Sequence, residues 1–116
     1  MSRQSQSNRY TAAPPPSLGA WLRQLRTARQ LPLRAVAGKA EMDSTLLSKI
    51  ELGQRLPTED QVQVLAEFFK VPFEEMEAKR LAERFWLDHG DSPAAGKAAL
   101  LLREQAVGYK TAKKTH

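Results

Sequence analysis

The chain contains no cysteine. That excludes disulfide staples and thiolate metal sites, and it fits a reducing compartment. Histidine is almost as scarce. His89 and His116 stand far apart, and neither has a carboxylate or second imidazole at metal-ligand spacing. Aromatic residues make up only 7% of the chain, and Phe69 and Phe73 stand with Met76 at helical spacing, which marks core rather than a cofactor box. No apolar run approaches the length of a bilayer span, and the start carries no signal-peptide core, so a cytoplasmic chain is expected. There is no glycine-rich phosphate loop and no nucleophile with a base partner. Glu74, Glu75 and Glu77 cluster where a helix is expected to begin, and acids are favoured there by the helix dipole alone. An enzyme is therefore the least expected class, and no metal or cofactor is called for.

A length of 116 residues suffices for one domain with a modest core. The net charge is +5, and its distribution says more than its total. Residues 1–16 carry +2, residues 17–72 carry +2, residues 73–107 carry −2 and residues 108–116 carry +3. Positive charge thus collects on the first two-thirds of the chain and at its far end, which suits a polyanionic partner.

Residues 1–16 are rich in Ser, Gln, Asn and Pro and end on Pro14-Pro15-Pro16, so a disordered tail with a stiff polyproline stop is expected. Ser17 is placed to cap a helix over about 18–29, with Leu18, Leu22 and Leu25 as its apolar stripe and Arg23 and Arg29 solvated. Leu33, Val36, Ala37 and Ala40 form the stripe of a second, short helix. Asp43 is an N-cap for a third helix over about 44–52, and Gly53 is its natural stop. In this third helix Leu47 and Ile50 face inward, while Ser44, Thr45, Ser48 and Lys49 face out. Two short helices, a tight turn and a polar outer face on the second describe a helix-turn-helix.

Further on, Thr58 and Gln61 form a capping box ahead of a fourth helix with Val62, Leu65, Ala66 and Phe69 buried. Val71-Pro72 ends it. A long helix over about 73–89 follows, with Met76, Leu81, Phe85 and Trp86 expected broadly on one side, and Gly90 as its stop. Asp91 or Ser92 then caps a last helix that Gly108 is expected to end near Val107, leaving a basic tail over 108–116. Leu100, Leu101 and Leu102 lie within that helix and exceed what one small core requires, which suggests a dimer interface.

The run LSKIELGQRLPT (Leu47 to Thr58), the upstream LRQLR (Leu22 to Arg26) and the downstream VLAEFFKVPFEEM (Val64 to Met76) together resemble the lambda-repressor-like, or XRE, family of DNA-binding domains over about residues 18–77. Leu31, Val36, Ala37, Met42, Asp43, Ile50, Glu51, Gly53 and Pro57 stand in register with that family's pattern. The resemblance implies an all-α, five-helix lambda-repressor-like domain over 17–77, with a C-terminal helical extension over 78–107. Two positions depart from the pattern. Glu41 stands where the family usually has Gly, so it either avoids positive φ or bears a cost of about 1 kcal/mol. Leu33 stands where a polar, phosphate-bonding residue is common.

By resemblance, Ser44, Thr45, Ser48 and Lys49 are the base-facing residues of a helix laid in the major groove. Lys49 can donate to guanine, and the two hydroxyl groups of Ser44 and Thr45 can donate or accept. Gln54, Arg55 and Arg34 are the expected phosphate contacts. Arg26 and Glu51 are expected to pair as a strut between the first and third helices.

The reading that follows is a sequence-specific, dimeric transcriptional regulator. It is most simply a repressor, nucleoid-associated when bound, with double-stranded DNA as its partner and a restriction–modification or phage-related locus as its target. Two alternatives stand beside it: an antitoxin whose C-terminal helices hold a protein partner, and an interaction module that has lost DNA binding.

Overall fold

The computed structural model describes residues 15–114, with side chains described through Ala106. The N-terminal tail as far as Pro14, together with Thr115 and His116, lies outside the described residues. The described chain is entirely helical: α1 Leu18–Ala28, α2 Leu33–Lys39, α3 Ser44–Glu51, α4 Glu59–Phe69, α5 Phe73–His89 and α6 Ala95–Lys114.

The starts of α1, α3 and α4 follow from local chemistry. The Ser17 hydroxyl accepts from the Ala20 amide at 3.2 Å, and the Asp43 carboxylate accepts from the Leu46 amide at 2.7 Å. Thr58 and Gln61 close a full capping box: Gln61 N donates to Thr58 Oγ1 at 3.1 Å, and Thr58 N donates to Gln61 Oε1 at 2.9 Å.

The ends of α1 to α4 share one device. The residues just past them, Gln30, Glu41, Gly53 and Lys70, all adopt left-handed backbone, with φ of 55°, 56°, 77° and 58°. Each amide bonds back three residues, and the following amide bonds back five, for example Glu41 to Gly38 and Met42 to Ala37. This is the Schellman closure of a helix end. Its apolar companion is present at three of the four turns, where Leu31, Met42 and Val71 follow the left-handed residue and are at least half-buried.

Glycine is used at only one of these four turns. At the other three the side chain bears the steric cost of left-handed backbone, which tertiary contacts must offset. Glu41 therefore does not avoid positive φ.

Residues 15–84 form one compact unit. Its core contains Leu18, Leu22, Val36, Leu47, Ile50, Val62, Leu65, Phe69 and Met76, each no more than 1% exposed. Helix α3 packs on both α1 and α2, and α4 packs on α2. Gly19 permits the approach of α1 to α3. A Cβ there would stand 2.0 Å from the Ile50 carbonyl oxygen and 2.9 Å from that of Glu51, both backbone atoms that cannot yield separately. At its C-terminal end α1 is anchored to α4, because Arg29 donates to the carbonyls of Leu25 and Phe69 at 3.0 Å each and lies over the Phe69 ring at 5.1 Å. Arg29 thus remains exposed, as expected, and in addition ties the end of α1 to α4. Helix α5 closes over the start of α1. The Leu18 amide, an orphan donor of the first turn, bonds the Glu83 carboxylate, and Lys79 Nζ lies 4.9 Å from the Trp21 ring centroid.

Of the four apolar residues expected on one side of α5, only Met76 is buried; Phe85 and Trp86 are half-buried and Leu81 is 53% exposed. At 100° per residue Leu81 sits about 140° around the helix from Met76, so both cannot meet the same core.

From Phe85 onward the chain forms a second unit. There Gly90 N donates to the Trp86 carbonyl at 2.7 Å, and the Trp86 ring occupies the space a Cβ at Gly90 would need. Helix α6 does not stop at Gly108 but continues to Lys114. A single glycine costs a helix interior about 1 kcal/mol and removes no backbone donor, so helix-forming neighbours carry the ladder through it.

Candidate nucleic-acid interface

Helix α3 is short, and its two sides differ sharply. Leu47, Ile50 and Glu51 are buried, while Thr45 and Lys49 are exposed and Ser44 and Ser48 are half-buried. The four expected base-facing residues therefore share the outward side of one helix. The start of that helix is defined by the Asp43 cap.

The loop behind α3 begins at Gly53. Gln54 and Arg55 are exposed in it, and Pro57 is buried beneath. Arg34 is exposed on α2, the helix that packs on α3. Arg34, Lys49 and Arg55 form no ion pair among the described residues. Three unneutralised cations on and beside α3 give this region the charge a phosphate backbone requires. Leu33, in the position where a polar residue is usual, is half-buried against the core and presents no phosphate-bonding group.

What holds α3 in place is an ion pair at its far end. Arg26 Nε donates to Glu51 Oε2 at 2.7 Å, and Nη2 donates to Oε1 at 2.9 Å. The remaining nitrogen, Nη1, donates to the Leu31 carbonyl at 2.8 Å. One guanidinium thus ties together α1, the α1–α2 turn and the last turn of α3. The bonded Glu51 carboxylate holds Arg26 above its ordinary pKa, against the opposing effect of burial.

A second fork lies in α5, where Arg80 Nε and Nη2 bond the Glu77 carboxylate at 2.8 and 2.6 Å. The bonded guanidinium lowers the Glu77 pKa, and burial opposes it only in part.

Two contributors escaped the sequence pattern. Gly19 is buried at the α1–α3 crossing and carries no periodic signal. The Lys79–Trp21 contact joins residues whose proximity nothing in the linear chain suggests. Among the described residues no group of three or more carboxylates and imidazoles could hold a metal ion, and no helix is long and apolar enough to cross a membrane.

Helices α2 and α3, joined by the tight turn at Glu41, define a helix-turn-helix architecture, a class that places its second motif helix in the major groove of DNA. The chain belongs to the helix-turn-helix domain family, whose model matches residues 17–78. No curated protein and no solved structure matches it significantly. The matched span takes in α1 to α4 and the start of α5, and the rest of α5 and all of α6 lie beyond it.

Proposed function

We propose that this protein is a sequence-specific DNA-binding regulator that acts as a dimer and represses by occupying an operator. The observation that supports this reading is the outward side of α3, where Thr45 and Lys49 are exposed and Ser44 and Ser48 half-buried beside them. Lys49 donates to guanine O6 or N7 in the major groove. The hydroxyls of Ser44, Thr45 and Ser48 read neighbouring base edges directly or through water. Arg34, Gln54 and Arg55 bind phosphates and set the register of the helix in the groove. The Arg26–Glu51 fork keeps α3 from tilting as it docks.

One recognition helix reads only a few base pairs, so a two-fold dimer with α3 helices one DNA turn apart supplies the missing specificity. The second unit supports this. Leu87, Leu100, Leu101 and Leu102 are each more than half exposed, too much apolar surface to leave in water on so small a unit. We assign that unit the dimer contact and the first unit the DNA contact. The same leucines would serve an antitoxin that holds a protein partner and autoregulates through the motif, and co-purification of a small partner separates that reading from this one. The family resemblance adds a restriction–modification or phage-related locus as the target.

The test is selection of genomic fragments by the purified full-length chain at two salt concentrations, followed by sequencing. An inverted-repeat site enriched at both salts, and lost with Lys49→Ala, is the expected result. Binding that salt abolishes without any enriched site would sink operator recognition and favour the partner-holding reading.

A further inference from the structure

Leu52 is the one large apolar side chain exposed on the helix-turn-helix motif itself; the other exposed leucines all lie in α5 and α6. It is 60% exposed. It follows α3 directly and keeps right-handed helical backbone, with φ −82° and ψ −1°, so it stays in the register of the helix. Thr45, Ser48, Lys49 and Leu52 fall at i, i+3, i+4 and i+7, which is one face. Leu52 therefore continues the polar face assigned to base reading. Only then does Gly53 turn the chain away.

We infer that Leu52 is a specificity-determining residue that packs against the 5-methyl group of a thymine at the far end of the base-reading face. The inference rests on the DNA-reading role proposed for α3. The chemistry of the groove selects the occupant. Major-groove edges present acceptors, amino donors and a single apolar group, the thymine methyl. A leucine carried into that groove finds no other partner that does not leave a base-edge donor or acceptor unsatisfied. The spacing also fits. Seven residues of helix advance about 10.5 Å, roughly three base steps of 3.4 Å, so Thr45 and Leu52 address opposite ends of one short half-site. Leu33 offers no competing contact, since it is spent on the core.

The experiment uses the full chain on its selected site, with each thymine replaced singly by deoxyuridine, which removes only the 5-methyl. Wild type and Leu52→Ala are compared by equilibrium binding. Leu52 is exposed, so its truncation leaves the core intact, which circular dichroism checks. The expected result is one thymine per half-site whose demethylation weakens wild-type binding about fourfold, the effect of one buried methyl, and leaves Leu52→Ala unmoved. If Leu52→Ala binds more weakly than wild type but responds equally to every demethylation, Leu52 meets sugar or backbone and the assignment is overturned. Equal behaviour of the two proteins at every thymine overturns it as well. Failure of the wild-type chain to select any site overturns the DNA-reading role of α3 itself, and that outcome is distinct from the other two.

Discussion

Arg26 and Glu51, 25 positions apart in the chain, are locked together by two hydrogen bonds of 2.7 and 2.9 Å, with side-chain exposures of 13% and 6%. Removing one partner strands the other in a dry environment. Arg26→Ala should therefore destabilise the domain by about 3 kcal/mol, whereas Arg26→Met with Glu51→Leu should recover much of that loss. Urea denaturation of the single and double variants gives the comparison. A loss below about 1 kcal/mol for Arg26→Ala would show that the fork is screened like a surface pair.

Gly19→Ala adds one methyl 2.0 Å from the Ile50 carbonyl oxygen. The neighbour is backbone, so α1 must move away from α3 as a whole. The expected effect is a destabilisation of about 3 kcal/mol, well beyond that of Ala20→Gly on the exposed side of the same turn. Thermal unfolding of both variants measures the contrast.

Glu41 occupies left-handed backbone at φ 56° in the turn of the motif, and its side chain is exposed. Glu41→Gly should raise stability by about 0.5–1 kcal/mol, because relief of strain exceeds the added freedom of the unfolded chain. Gly53→Ala, at φ 77°, should move in the opposite direction by a similar amount. Melting temperatures of the two variants should shift by a few degrees with opposite signs.

The Glu77 carboxylate is held below its ordinary value of 4.5 by the Arg80 guanidinium. A folded-state pKa below the unfolded one means that stability is present above the unfolded value and is lost as pH falls through the folded value. Wild type should therefore exceed Glu77→Gln by a constant margin from neutral pH down to the ordinary carboxylate range. That margin should close only at more acid pH. Denaturant midpoints across an acid series test the sign; a margin that widened on acidification would contradict it.

Charging the exposed leucines of α6 tests the proposed dimer. Leu101→Glu with Leu102→Glu should yield a monomer by sedimentation and weaken operator binding, while the helical content of residues 15–84 persists, since neither residue belongs to that unit. If six phosphates are neutralised per dimer, log K of wild type should fall with log salt at a slope of about −5, and halving the contacts should halve the slope.

Much of the architecture is decided locally and can be read along the chain. The Asp43 cap, the Thr58–Gln61 box, the Gly53 stop and the apolar stripes of α2 and α4 depend on residues within one or two turns, and each forms as the pattern indicates. The polar outward side of α3 is legible for the same reason: Leu47 and Ile50 take the inner side, and helical geometry places Thr45 and Lys49 opposite.

Tertiary structure decided what depends on a distant neighbour. Gly19 looks like any helix glycine until the carbonyls of α3 arrive beside it. Arg29, exposed as expected, has no visible partner until the end of α4 offers a carbonyl and a ring. Lys79 and Trp21 meet only because α5 returns over α1. Glu41 illustrates the division most directly. The sequence by itself determined that a turn falls there and that glycine would suit it. Only the packing of α2 against α3 decided that the turn is left-handed regardless, because burial of Val36, Met42 and Leu47 stabilises the fold by more than one strained residue costs it.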